Sequence, residues 1–523
     1  MTKNAGLKLT DEQEAIIGST ENLLAVTAYA GTGKTSTLKI FAKTHPREKM
    51  LYLAFNRSLA ADSKEAFRDC PNVQVRTIHS LAYSLVGHKY ASALGEIRPY
   101  DMEPYCLSAR PPVLDDKYLV LKVAHECLHD FFISSSPSMG DFLKKYRKML
   151  VAKLEGMQTR PSSIRYLVEH VWEDSQDGNF AMPHNGYLKL LQMDPCGCLD
   201  GFDRILVDEA QDLNDCMISL VTNCSPKKIF VGDPYQQIYG FNGAVNALSK
   251  KALKSASPYY LTQSFRCPHD VAELANQYLK LLGAPKDFTS LANHGAGDSG
   301  APKLLIARTN AGLFDFVAKN IEDNKFSYNG GFSSYQFEII LDLVNLILGE
   351  TGRIRDGFYK NFKKIDNFID YATKVKDSVA LTRIKIAKKY MGEAFDIYMG
   401  MKAYMVPESK ANQSNYIATT AHKVKGREYD NVVMLDDFAS VKDIVSQGKK
   451  IAGIDENGED NPESLKCSVN LEELRLLYVA ITRTRRQLAI PKHYRISDSM
   501  VWDFKNLTGK GYIEVTDKLP AQR

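Results

Sequence analysis

"AYAGTGKTST", residues 28–37, is a turn of small residues set between an apolar run, "NLLAVTA" (22–28), and a helix-like run, "TSTLKIFAK" (35–43). Gly31 and Gly33 let backbone amides curl around an anion, and Lys34 reaches toward β- and γ-phosphate oxygens. Thr35 offers a hydroxyl to Mg²⁺, and the following helix points its N-terminus at the charge. Ala28 stands where the strict GxxxxGK[ST] pattern has glycine, yet these physical requirements survive. Ala30, Thr32 and Ser36 complete the candidate nucleotide-binding loop. Strand-like runs follow at "MLYLAF" (50–55) and "VQVRTI" (73–78). This strand–helix–strand rhythm predicts an α/β fold built on a parallel sheet.

Further along the chain the rhythm is interrupted twice. Residues 86–195 read as mostly helical, after which strands return at "RILVDEA" (204–210) and "KKIFVGD" (227–233). A second helical block spans 332–405, and strands resume at "NYIATT" (415–420) and "NVVMLDDF" (431–438). Two α/β units, each interrupted by a helical insertion, are therefore expected. No short-period tandem repeat is present. The polar, glycine-rich "SQGKKIAGIDENGEDNPES" (446–464) reads as a flexible surface loop.

At 523 residues the chain is too long for one core, and roughly three or four domains are expected. With 44% hydrophobic and 25% charged residues, a globular protein is expected, not a disordered one. A net charge of only +5 permits a local polyanion site without demanding one. "MTKNAGLKLTDEQEAII" lacks the apolar core of a secretory leader, and "FEIILDLVNLILG" (337–349) carries Glu338, Asp342 and Asn345. That stretch reads as a buried helix, so no membrane span is expected. Nine scattered cysteines are expected to stay reduced in a cytoplasm-like compartment. Cys196 and Cys198, with Cys216 and Cys224 further on, lack the second clean pair of a zinc site and read as unpaired thiols.

In "RILVDEAQD" (204–212), Asp208 and Glu209 end an apolar strand. With a phosphate loop upstream, Asp208 is placed to hold Mg²⁺ together with Thr35, and Glu209 to activate the attacking water. The pair predicts a site that hydrolyses a nucleoside triphosphate.

"DEAQD" followed by "VGDPYQQIYGFNGA" (231–244) resembles the superfamily 1 DNA helicases of the UvrD/Rep/PcrA type. Further matching motifs occur in order: "LTDEQ" (9–13), "VRTIHSLAYSL" (75–85), "LTQSFR" (261–266), "IARTN" (306–310), "TAHKVKGREYDNVV" (420–433) and "EELRLLYVAITRTR" (472–485). Their wording is closest to the helicase core of the F-box DNA helicase branch; no F-box precedes Gln13, so a ubiquitin-ligase role is not expected to carry over. The resemblance implies two RecA-like P-loop domains with ATP in the cleft between them. Domain 1A would span 1–85 and 196–262, and 2A would span 263–331 and 406–495. The helical insertions would be 1B (86–195) and a reduced 2B (332–405), with 496–523 a C-terminal tail too short for a nuclease domain.

By motif position, the resemblance implies that Gln13 recognises adenine and Gln236 senses the γ-phosphate. Arg266 and Arg483 would stabilise the transferring phosphoryl group on domain closure, and Glu428 would stand near the ribose and phosphates. Phe265 occupies the place of a tyrosine that stacks on adenine, and Ser36 that of an arginine. Single-stranded DNA would be gripped by Phe55, Thr77, His79, Tyr239 and Phe241 from 1A and by Arg308, Asn310 and His422 from 2A, with little sequence preference. Phe241 and Asn242 replace tryptophan and arginine of the family, so stacking is kept and one cationic contact is lost. The implied activity is an ATP- and Mg²⁺-dependent single-stranded DNA translocase and helicase of 3′→5′ polarity, acting in repair, recombination or genome defence. Two alternatives use the same motor parts. One strips proteins from DNA; the other is an ATP-gated DNA-binding subunit beside a separate nuclease or repair factor.

Two features admit plainer readings. Basic runs in "DFLKKYRKMLVAKLEG" (141–156), and at Lys360, Lys363, Lys364, Lys385, Lys388 and Lys389, fit either solvated helix faces or a surface that steers duplex at a junction. "AHECLHD" (124–130) contains a literal HExxH at His125, Glu126 and His129; inside a helical insertion and without a third ligand, it reads as a chance match, not a zinc site.

Overall fold

A computed structural model describes residues 8–109, 111–113, 117–195, 197–240, 243–250, 253–294, 300–374, 377–456 and 467–517. The fold is α/β, in two RecA-like units. Unit 1 comprises residues 1–28 and 33–261, and unit 2 comprises 29–32 and 262–523.

Unit 1 is built on a six-stranded, wholly parallel sheet of β1 (Leu23–Ala28), β2 (Met50–Ala54), β3 (Val73–Thr77), β4 (Arg204–Val207), β5 (Lys227–Gly232) and β6 (Ser257–Leu261), in the order β3-β2-β4-β5-β1-β6. Both faces are covered, so the strands are apolar on both sides. Met50 and Tyr52 of β2 pack with Leu38 and Phe41 of helix α2 (Lys34–Thr44), while Leu51 and Leu53 turn to the opposite face. That second face shares one core with the helices of the 86–195 block: α3 (Lys117–Ile133), α4 (Met139–Lys153), α5 (Pro161–Gln176) and α6 (His184–Met193). Phe131, Phe132, Phe142 and Trp172 form its aromatic centre, with ring centroids 5.3–5.9 Å apart. On α4 the core takes Phe142, Leu143, Tyr146 and Leu150, leaving Lys144, Lys145, Arg147 and Lys148 on an exposed face.

Unit 2 holds a second parallel sheet of β7 (Lys303–Ala307), β8 (Phe326–Tyr328), β9 (Tyr416–Thr420), β10 (Tyr429–Met434) and β11 (Thr484–Ala489), in the order β8-β9-β7-β10-β11. The 332–405 block includes α7 (Glu338–Leu348), α8 (Ser378–Lys389) and α9 (Ala394–Tyr404), and its apolar residues join the core of that sheet through Tyr335, Phe337 and Leu343. As the sequence predicts, 337–349 is a buried helix; Gly349 closes α7 in the left-handed region at φ 77°. No helix among the described residues is long and apolar enough to cross a membrane.

The loop expected over 446–464 is corrected by the structure. Residues up to Glu456 belong to helix α10 (Val441–Glu456), and 457–464 lie outside the described residues. Val441, Val445 and Gly448 recur at i, i+4 and i+7. A Cβ on Gly448 would meet Ile513 Cγ1 at 2.9 Å, so this glycine permits close packing against the C-terminal β-strand Ile513–Thr516.

Candidate functional site

In unit 1 the phosphate loop leads into α2, whose N-cap is Gly33 at φ 79°. Lys34 Nζ lies 3.1 and 3.2 Å from the two carboxylate oxygens of Glu209. Burial works against the Lys34 charge, but the carboxylates of Glu209, Asp208 and Asp233 outweigh it and hold its pKa above the ordinary lysine value. Glu209 follows β4 with φ 50°, a left-handed conformation costly for a residue with a Cβ, imposed where the strand gives way to a tight turn. From Glu209 a chain of hydrogen bonds crosses to the end of β5. Gln211 Nε2 donates to Glu209 Oε2 at 2.6 Å, and Gln211 Oε1 accepts from the Asp233 amide at 2.9 Å. Gln236 Nε2 donates to Asp233 Oδ2 at 2.7 Å. The structure thus brings Lys34, Glu209 and Gln236 into one network, through Gln211 and Asp233.

Asp208 accepts from the Glu209 amide at 2.8 Å and from the hydroxyl of buried Tyr52. Burial, then the Glu209 carboxylate, pushes the Asp208 carboxyl up, with Lys34 opposing. A divalent cation beside it would relieve that cost. Asp208 and the Thr35 hydroxyl are hard oxygen donors suited to Mg²⁺, which completes its shell with phosphate oxygens and water. No cluster of three His, Cys, Asp or Glu among the described residues stands ready to hold a metal, and Mg²⁺ needs none.

Gln13 closes a capping box with Thr10 at the start of helix α1 (Asp11–Ile17), and its Nε2 donates to Thr37 Oγ1 at 3.2 Å. Ser36 is exposed on α2. Phe55 stacks on Tyr239, centroids 5.6 Å apart and planes 18° from parallel. Thr77 caps the helix Ile78–Leu85, and His79 meets Asn185 Oδ1 at 3.0 Å, with its pKa lowered by burial. Phe241 and Asn242 lie outside the described residues.

In unit 2, Arg266 Nε donates to Glu428 and Nη1 to Thr482 O at 3.4 Å, so two expected nucleotide-site residues form an ion pair. Phe265 is exposed at its ring, while its amide donates to Gly31 O at 2.9 Å. Arg483 is buried at the end of helix α11 (Leu471–Ile481), donating to Val479 O at 2.9 Å, Arg427 O at 3.2 Å and Thr482 Oγ1 at 3.1 Å. The segment Tyr29–Thr32 packs within this unit. The Ala30 amide donates to Tyr478 Oη at 3.2 Å, Tyr29 Oη to Lys286 O at 2.8 Å, and Thr32 Oγ1 to Tyr29 O at 2.9 Å. A Cβ on Gly31, at φ 69°, would meet Arg266 Cβ at 2.4 Å.

The expected strand contacts of unit 2 gather at the other end of α11. Arg308 forks onto Glu473 at 2.6 and 2.8 Å, and its amide donates to Asp437 at 2.7 Å. Asn310 Nδ2 donates to Tyr335 O at 2.8 Å. His422 Nε2 is 3.8 Å from Glu472 Oε1, and burial together with the Arg308 charge brings its pKa down to about 4. Burial, then the Glu473 carboxylate, pushes the Glu472 carboxyl up to about 7.

The folded protein therefore binds the Glu472 proton more tightly than the unfolded chain between about pH 4.3 and 7. The stability from this group falls as pH rises through that window. Glu472→Gln is expected to raise the melting temperature by roughly 3–6 °C at pH 8 and to change it little at pH 5. Thermal denaturation at both values checks this; an equal shift at both would show Glu472 ionised throughout.

The HExxH residues are engaged separately. His125 Nε2 is 2.9 Å from Ile97 O, Glu126 pairs with Lys153 at 2.5 Å, and His129 Nδ1 is 3.8 Å from Asp130. The eight described cysteines are free thiols, and Cys196 lies outside the described residues. Of the basic residues in the second insertion, Lys389 pairs with Asp315. Tyr52, Gln211, Asp233 and Tyr478 are site neighbours that the sequence reading passed over. Gln211, Asp233 and Tyr478 sit inside the quoted motifs, where no role was read for them; Tyr52 sits in a run read only as a strand.

A protein-family profile described as an AAA domain matches residues 12–242. F-box DNA helicase 1 of Gallus gallus is 29% identical over 515 residues, covering 92% of this chain and 49% of that protein. F-box DNA helicase protein 1 of Schizosaccharomyces pombe is 28% identical over 531 residues, covering 92% of this chain and 57% of its own length. A probable DNA helicase II homolog of Mycoplasma genitalium is 36% identical over 87 residues, 15% of this chain and 12% of the relative. The chain thus spans about half the length of the F-box relatives. The resemblance to superfamily 1 helicases, and to the F-box branch in particular, holds.

Proposed function

From homology to DNA helicases along 92% of its length, we propose that this chain is an ATP-dependent translocase and helicase on single-stranded DNA, moving 3′→5′. The observation that carries the proposal is the network from Lys34 through Glu209 and Gln211 to Asp233 and Gln236. It ties the phosphate loop to the ends of β4 and β5, where a hydrolase needs its base and its γ-phosphate sensor. In this reading Lys34 and the amides of the loop hold the phosphates. Thr35 and Asp208 hold Mg²⁺, which when bound draws charge from the phosphate oxygens. Glu209 takes a proton from water, and Arg266 and Arg483 supply positive charge to the phosphoryl group. The half-buried, stacked Phe55–Tyr239 pair supports stacking of bases without sequence preference.

The test is a duplex with either a 3′ or a 5′ single-stranded tail, incubated with ATP and Mg²⁺. Strand separation from the 3′ tail is expected, and separation from the 5′ tail alone would reverse the polarity. The compact 332–405 insertion favours a second use of the motor, the stripping of proteins from DNA. Displacement of a recombinase filament without unwinding would select it. Repair, recombination or genome defence in a reducing compartment is the setting we propose.

A further inference from the structure

We propose that Tyr478 is a positioning residue for the nucleotide loop, holding its crown through the Ala30 amide. The proposal goes beyond the assignment of the loop as the ATP site and rests on that assignment. A phosphate loop binds through the direction of its amides, so whatever fixes its backbone fixes the anion site. Here the crown is held at three points within unit 2. Tyr478 Oη accepts from the Ala30 amide at 3.2 Å, the Phe265 amide donates to Gly31 O at 2.9 Å, and Tyr29 Oη donates to Lys286 O at 2.8 Å. Gly31 leaves no room for movement toward Arg266, because a single added carbon would stand 2.4 Å from its Cβ.

Tyr478 is fully buried and lies seven residues into α11, a helix packed on the core of unit 2. The same helix begins at Glu472 and Glu473, which face His422 and hold Arg308, and it ends beside Thr482 and Arg483. A helix is stiff over this length, so the Tyr478 hydroxyl is fixed by elements at both ends of α11 and not by the loop itself. With the Ala30 amide engaged by a hydroxyl, the loop is curved before the anion arrives. The ordering cost that a floppy loop would add to nucleotide binding is lowered.

The variant Tyr478→Phe keeps the ring in its slot and removes only the hydroxyl. Binding of ATP and ADP to the full chain is measured directly by calorimetry, with KM and kcat for hydrolysis measured alongside. The expected result is a three- to tenfold weaker nucleotide affinity, about the effect of one buried hydrogen bond, with KM raised by the same factor and kcat changed less than twofold. Unchanged affinity in a folded variant would overturn the proposal. A lower melting temperature with unaltered affinity of the folded fraction would assign Tyr478 to packing and overturn it equally. Failure of the wild-type chain to bind either nucleotide would remove the ATP site and this inference together, which separates the two failures.

Discussion

Glu209→Gln is expected to lower ATP turnover about a thousandfold while ATP remains bound with equal or greater affinity. The amide keeps the size of the carboxylate and can still meet Gln211, so the strained backbone at φ 50° and the path to Asp233 are preserved. What disappears is the group able to take a proton from water. A second consequence follows from the ion pair at 3.1 Å: Lys34, no longer paired with a carboxylate, is left to the incoming phosphates. Single-turnover hydrolysis beside equilibrium ATP binding reads both effects. Turnover above a tenth of wild type would remove Glu209 from the role of base, and loss of binding with turnover would make it a scaffold.

Lys34→Ala is expected to abolish turnover, by at least a hundredfold, and to weaken ATP binding as well, because in the proposed site it removes the cation that would meet the β- and γ-phosphates. The two variants therefore part company: Glu209→Gln separates binding from chemistry, whereas Lys34→Ala loses both. Removing the ammonium also leaves Glu209 and Asp208 without the charge that offsets their burial. Some loss of thermal stability accompanies the variant for that reason, so turnover is compared on protein shown by circular dichroism to be folded. Turnover within threefold of wild type would place the phosphates elsewhere.

The strands around both candidate sites were legible because each is an apolar run ending at a charged or glycine-rich turn, as in "RILVDEAQD" and "NLLAVTA". α10 was not, because its packing stripe is made of Val441, Val445 and Gly448. A glycine in a polar segment reads as flexibility, and nothing local reveals that a partner strand needs the missing side chain. The charged members of the site announced themselves through their motifs. Their supports did not. Tyr52 sits in a strand that reads as core, and Tyr478 inside the motif at 472–485 without a role of its own, yet each directs one hydroxyl at a site residue.

Motif position also says nothing about what a side chain is tied to. Arg308, Asn310 and His422 were expected at the strand, and in this structure they are engaged with Glu473, Tyr335 and Glu472. Gln13, expected at adenine, closes a helix cap and meets Thr37. Apart from the local cap of Gln13 with Thr10, these partners lie far apart in sequence, and the fold brings them together.

In the proposed translocase the phosphate loop works for a nucleic-acid track. The measurement that tests it most directly is the steady-state ATPase rate of the wild-type chain with and without single-stranded DNA, with Lys34→Ala as the reference for background. The expected rate is raised at least tenfold by single strands of unrelated sequences and is absent from Lys34→Ala. A Lys34-dependent rate that single-stranded DNA leaves unchanged would contradict it.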